Sequence, residues 1–268
     1  MTQDPNPDYP PPTSYPEFPE ERPASPPPEE QLVRVEAPSG RPWVTFTFLA
    51  IAVVIFLLQQ ASTYIFGYDL VAGIGMKVND LILQGHFWRL FPPMFLHGSL
   101  LHRGFNMSAL YIFGPGLERY YGHSRFIVLF ILSGLAGNVF SFMFSASNSL
   151  GSSTAIFGLL AAEGVFLYQN QKVFGGVARR ALNNIIMIAV VNLIIGLSPG
   201  IDNWGHMGGL LGGAIFAFLG GPLLDVQGIA PNLRVVDSRE TGEVVRAALI
   251  DVAIFGALAV GTIYLRTF

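Results

Sequence analysis

Charge is what this chain has least of. Charged residues make up 12% of the sequence, against roughly 25% in ordinary soluble domains. Cysteine is absent, which excludes disulfides, thiol nucleophiles and thiolate metal sites. No His-Glu-x-x-His motif occurs, so the commonest zinc-hydrolase signature is missing. No basic stripe points to nucleic acid, and none is expected as a partner. Proline is sparse beyond residue 40, because twelve of the nineteen prolines fall before it. In place of charge there is hydrocarbon. The chain is 51% hydrophobic, and apolar windows of about 20 residues, enough to cross a bilayer, recur along most of it. These observations predict an all-α polytopic membrane protein whose first partner is the lipid bilayer.

Residues 1–42 read as a separate tail. Its first 40 residues carry eight acids and two arginines, a balance of −6, and their proline content prevents them from burying a core. The tail is predicted to be disordered and partly polyproline II. It is acidic, and the first apolar run begins too late for a secretory signal. Seven spans follow, at about 44–66, 94–116, 125–146, 153–170, 182–198, 203–222 and 247–265. The stretch 67–93 is only partly apolar. Its Phe87-Trp88-Arg89 suits a membrane interface, so it is expected to lie on or partly in the outer leaflet. With the N-terminus in the cytoplasm, eleven Lys and Arg residues fall inside. Three fall outside (Lys77, Arg89 and Arg266), and Arg103 lies within a span. That bias fixes the orientation, and seven spans leave the C-terminus extracytoplasmic.

Several polar residues interrupt the greasy segments. Ser153, in Gly151-Ser152-Ser153-Thr154, heads the run at 155–168. His206, in Trp204-Gly205-His206-Met207-Gly208-Gly209, heads another, and His97, His102 and Asn106 share a third. Polar groups in hydrocarbon are costly and mark function more often than decoration. A serine hydroxyl becomes a nucleophile when a base takes its proton, and His206 is the histidine best situated for that. Gly205, Gly209 and Gly213 repeat every four residues, as do Gly208 and Gly212. Gly158 and Ala162 share that interval on the Ser153 segment. Small residues so spaced let two helix backbones close up, which would bring Ser153 and His206 within reach. His102 and Asn106, four apart, lie on one helix face. With the Ser153 backbone N–H they offer donors for an oxyanion. His97 falls off that face and is read as ordering water or the fold.

In order and at matching depth, these pieces resemble the rhomboid intramembrane serine proteases, over residues about 82–222. The matching stretches are Gly85-His86-Phe87-Trp88-Arg89-Leu90, the His97, His102 and Asn106 pattern, and Gly114-Pro115-Gly116-Leu117-Glu118-Arg119-Tyr120-Tyr121-Gly122. Gly151-Ser152-Ser153-Thr154-Ala155-Ile156-Phe157-Gly158-Leu159 and Trp204-Gly205-His206-Met207-Gly208-Gly209 complete the set. The resemblance implies a rhomboid-like six-helix catalytic core at 43–223. A loop at 224–246, expected to be cytoplasmic, then leads to a seventh transmembrane helix at 247–268. It implies a Ser153–His206 dyad with no required carboxylate, no cofactor and no metal. His102, Asn106 and the Ser153 N–H become the expected oxyanion donors. His97, Gly151 and Phe157 become supporting residues, with Phe157 packed on the His206 ring. The implied activity is hydrolysis of peptide bonds in or near transmembrane helices, with single-pass transmembrane proteins as substrates.

Two residues depart from the family's pattern. Thr154 follows the nucleophile where glycine is usual, and a branched side chain there is expected to narrow the site or stiffen the turn. Arg103 replaces an apolar residue and is expected to snorkel or to find a carboxylate. Glu163 lies ten residues beyond Ser153, about 15 Å deeper along a helix, too far to complete a triad. The rival reading is a rhomboid-like protein that binds transmembrane helices with little or no catalysis, and Thr154 is its support. A histidine metal site and a transporter find less in the sequence, since no inverted repeat is apparent. The expected location is a bacterial plasma membrane, and a eukaryotic secretory membrane stays open.

Overall fold

A helix whose surface is apolar all round belongs in a core or a membrane. The computed structural model, which describes residues 35–36, 39–229 and 232–268, is built mainly from such helices. The predicted tail at 1–42 lies almost wholly outside the described residues. Seven long helices carry the architecture: α1 (Trp43–Phe66), α4 (Leu100–Tyr121), α5 (His123–Phe144), α6 (Ser153–Gln169), α8 (Gly176–Ile195), α9 (Asn203–Gly220) and α10 (Thr241–Thr267). Of these α1, α5, α8 and α10 are long and apolar enough to cross a membrane, and α6 is a shorter apolar helix. Between α1 and α4 lie α2 (Leu70–Gly75), α3 (Asn79–Leu83) and two single 3-10 turns, Phe87–Leu90 and Pro92–Phe95. The short α7 (Gln171–Phe174) joins α6 to α8.

Helices α5, α6 and α9 pack most closely on one another. The main core gathers around Phe126, Phe130, Leu129, Leu159 and Phe216, all but excluded from solvent. The outer helices keep their apolar faces open: Leu57 and Leu58 on α1, Ile194 on α8, and Leu249 and Val260 on α10 are exposed. An inner bundle with greasy outer walls suits hydrocarbon surroundings.

Some spans start elsewhere than hydropathy suggests. The second begins at Leu100 rather than 94, because Pro92 and Pro93 hold the preceding residues in a 3-10 turn. Ser99 then caps α4, its hydroxyl accepting the His102 N–H at 3.1 Å. That helix runs on through Pro115 to Tyr121. Helix α8 starts six residues early because Arg179 and Arg180 are good helix formers that a hydropathy window penalises. The expected loop at 224–246 contains a hairpin, β2 (Leu224–Ile229) against β3 (Asn232–Asp237), with β1 (Val35–Glu36) parallel to β3. Val226 pairs with Val235 in it, which suits β-branched residues. Asp237 ties the hairpin to α5 through Arg125, at 2.8 Å.

The start of α1 is secured from another helix. Its N-terminal N–H groups have no partner of their own, and Pro42 supplies no side-chain cap. Glu118 of α4 supplies one: its carboxylate accepts from Val44 N at 2.9 Å, Thr45 N at 2.7 Å and Thr45 Oγ1 at 2.6 Å. His123 Nδ1 meets the same group at 2.6 Å. Glu118→Ala strands several buried donors at once. It should lower stability by about 3 kcal/mol, read as a lower thermal midpoint in detergent. An unchanged midpoint would remove Glu118 from the support of α1.

Candidate active site

The close approach anticipated from the glycine spacing occurs between α6 and α9. A Cβ placed on Gly209 would collide with the Thr154 carbonyl, and one on Gly213 would collide with the backbone of Gly158. The contacts advance by four residues on both helices together, so α6 and α9 run parallel with their first turns side by side. Ser153 is the first residue of α6, and His206 lies in the first turn of α9. Ser153 Oγ and His206 Nε2 are 2.9 Å apart.

The histidine ring is fixed by packing. Phe157, one turn along α6, stacks on it with centroids 4.1 Å apart and planes 11° from parallel. His206 Nδ1 is buried with no hydrogen-bond partner among the described residues. Among the described residues no carboxylate hydrogen-bonds to that nitrogen. Glu163, deeper on α6, has no hydrogen-bond partner for its own Oε2 among the described residues.

Gly151 shapes the space beside Ser153. Its φ of +144° is open to glycine and strained for other residues. A Cβ there would fall 2.9 Å from His102 Nε2 and 3.6 Å from Ser153 Oγ, so the imidazole and the hydroxyl face one small space. The Gly151 N–H donates to the Pro93 carbonyl at 2.8 Å, fastening this turn to the loop before α4. Asn106 is buried on α4 and donates through Nδ2 to the His102 carbonyl at 3.0 Å. That leaves one amide N–H for another acceptor. A serine hydroxyl within hydrogen-bond distance of one imidazole, with a second imidazole across a small space, is an arrangement suited to acyl transfer.

His97 stands behind this group. Its Nε2 is 3.1 Å from Ser152 Oγ, and its ring meets His102 edge-on at 5.7 Å. Gln59 of α1 brackets its backbone, accepting from His97 N at 3.1 Å and donating to His97 O at 3.2 Å. Neither Gln59 nor Ser152 was singled out from sequence, although a glutamine within the apolar run of α1 was a readable signal.

The two departures resolve simply. Thr154 turns its side chain away from Ser153, between Gly137 of α5 and Gly205 of α9, where each glycine leaves room for it. Arg103 finds an aromatic face instead of a carboxylate. Its guanidinium carbon lies 3.8 Å from the centroid of the Phe56 ring, an arrangement favoured by cation–π attraction. In the loop before α4, Arg89 is buried and donates to the Met76 carbonyl at 3.0 Å. Trp88 stays exposed and stacks on His86 with centroids 4.5 Å apart.

Comparison with known proteins gives a consistent set of similarities. Residues 84–223 match the model of the Rhomboid domain. The chain is 39% identical over 176 residues to Rhomboid protease GluP of Bacillus subtilis (strain 168), covering 65% of this chain and 34% of that protein. It is 35% identical over 153 residues to RHOMBOID-like protein 9, chloroplastic, of Arabidopsis thaliana, covering 57% of this chain and 35% of that one. The aligned part thus spans about a third of either relative's length. A shorter relative, the rhomboid protein YdcA of Bacillus subtilis (strain 168), is 30% identical over 184 residues, covering 66% of this chain and 88% of its own.

Proposed function

The chain belongs to the rhomboid family, and on that premise we propose that it is an intramembrane serine endopeptidase working through a Ser153–His206 dyad. The observation that carries this reading is the 2.9 Å contact between Ser153 Oγ and His206 Nε2 at the head of two parallel helices. The domain match and the apolar helices make it a multi-pass membrane protein. The excess of Lys and Arg on one side supports a cytoplasmic N-terminus and a site that opens extracytoplasmically.

The proposed reaction begins when neutral His206 accepts the Ser153 proton at Nε2 as Oγ attacks the scissile carbonyl carbon. The carbonyl oxygen becomes an oxyanion, held by the Ser153 N–H, His102 and the spare N–H of Asn106. The intermediate collapses, the C–N bond breaks, and imidazolium His206 gives its proton to the departing amine. A water then repeats the sequence on the acyl-enzyme, with His206 again as base, and frees Ser153. Phe157 does for the ring what a third residue does elsewhere, holding its plane without a charge. Substrates are proposed to be single-pass transmembrane helices, which must unwind locally to offer a peptide carbonyl to the serine. The Thr154 side chain lies against Gly137 and Gly205, which supports the active reading over that of an inactive, helix-binding relative.

Labelling with a fluorophosphonate serine probe tests the reading. Wild type should label, and Ser153→Ala should not. Folded wild type that takes no label would overturn the dyad. Asn106→Ala should slow cleavage of a transmembrane peptide about tenfold to a hundredfold, less than loss of a sole donor because two others remain. An unchanged rate would remove Asn106 from the oxyanion site.

A further inference from the structure

A buried lysine connects the approaches to both Ser153 and His206. Lys77, in the segment between α2 and α3, is fully excluded from solvent. Its backbone forms an isolated antiparallel bridge with Ser149: Lys77 N donates to Ser149 O at 2.9 Å, and Ser149 N donates to Lys77 O at 3.1 Å. Ser149 lies four residues before Ser153. The Lys77 ammonium donates to Ser141 Oγ of α5 at 2.9 Å, and the Ser141 hydroxyl donates to Asp202 Oδ2. Ser149 Oγ lies 3.3 Å from the same hydroxyl, so Ser141 can donate once and accept twice, its full capacity. Asp202 is the N-cap of α9. Its Oδ1 accepts from Gly205 N at 3.0 Å, and its carbonyl accepts from His206 N at 3.1 Å.

The chain of contacts therefore runs from the loop that delivers Ser153, through one ammonium and one hydroxyl, to the cap that starts the His206 helix. Burying an ammonium is expensive, and a well-packed apolar side chain would stabilise such a place at least as well. A lysine buried here therefore points to a role in positioning its partners. Burial pulls the Lys77 ammonium down to about 8, while Asp202 acts against that fall and Arg266 adds to it. Lys77 and Asp202 thus meet the same Ser141 hydroxyl from opposite sides.

We propose that Lys77, through Ser141, is a positioning residue that sets Asp202 and hence the distance between the Ser153 and His206 side chains. It touches neither substrate nor reacting atom. The proposal rests on the dyad reading, because it assigns Lys77 to the alignment of those two residues.

The test is the labelling kinetics of full-length protein with a fluorophosphonate, resolved into the maximal inactivation rate and the half-saturating concentration. Thermal midpoints are measured alongside. Asp202→Asn keeps a side chain able to cap α9 but removes its charge, and Ser141→Ala keeps both charges but removes the link. Each should slow maximal inactivation about tenfold to a hundredfold, the cost of misaligned reacting groups, with half-saturation within twofold. Lys77→Met should do the same, and Lys77→Met with Asp202→Asn should be no slower than Lys77→Met alone. If Lys77→Met does not fold, the other two variants decide. Wild-type inactivation rates in Asp202→Asn and Ser141→Ala, or losses confined to half-saturation, would overturn the positioning role and leave the dyad intact. A wild type that takes no label, or labelling that survives Ser153→Ala, would overturn the dyad and the positioning role with it.

Discussion

Replacing Ser153 by alanine should leave no measurable cleavage of a transmembrane substrate, and His206→Ala should fall to the same floor. The two losses coincide because the groups act as one unit. Without the imidazole, the Ser153 hydroxyl keeps its proton and attacks slowly; without the hydroxyl, the imidazole has nothing to activate. The expected fall is roughly 10⁴-fold or more for each, and the double variant should be no slower than either alone. Neither change should disturb the fold. Ser153 is only partly buried, and truncating either residue leaves in place the glycine contacts that hold α6 against α9. The measurement is turnover of a quenched single-span peptide by purified protein, with thermal midpoints as the control. Either variant retaining a tenth of wild-type turnover would sink the dyad. Losses that multiplied in the double variant would mean that the two residues serve separate steps.

What could be read from sequence was what depends on local spacing. The all-helical membrane class followed from apolar windows, and the glycine intervals implied the close pair of helices that α6 and α9 form. The same intervals implied that Ser153 and His206 lie close together, as they do at 2.9 Å. Contacts between distant segments were out of reach. Lys77 and Ser141 are 64 residues apart, and Ser141 and Asp202 are 61 apart. No periodicity connects a loop lysine to a hydroxyl in the third span. Glu118 stands in a stretch that carries the family resemblance, but its contact with the first turn of α1, 73 residues away at Thr45, has no sign in the sequence. Arg103 shows another limit. Snorkelling or a carboxylate partner is what its sequence position suggests, and the side chain lies over Phe56. Thr154 was assigned to the site because of its neighbour, yet consecutive residues of a helix point about 100° apart, and Thr154 faces α5 and α9 while Ser153 faces His206.

The glycines that let Ser153 and His206 approach should therefore be as unforgiving as the two residues themselves. Gly209→Val is expected to abolish labelling by a fluorophosphonate and to lower the thermal midpoint sharply. A Cβ at Gly209 meets the Thr154 carbonyl, carbonyl carbon and Cα, which are backbone atoms of α6 and cannot rotate aside. The helices must then separate, and Ser153 and His206, held 2.9 Å apart at their ends, separate with them. Overpacking of this kind costs about 3 kcal/mol, and moving reacting groups by an ångström is worth about 100-fold in rate. The comparison that isolates the effect is Gly256→Ala on α10, where an added Cβ meets nothing. That change should leave labelling intact and, by favouring helix, leave stability equal or slightly higher. If Gly209→Val labelled like wild type, the active geometry would not depend on the contact between α6 and α9. A loss of labelling in Gly256→Ala equal to that in Gly209→Val would point to a general intolerance of substitution. Loss at Gly209 with tolerance at Gly256 ties the reactivity of Ser153 to how closely two helix backbones approach.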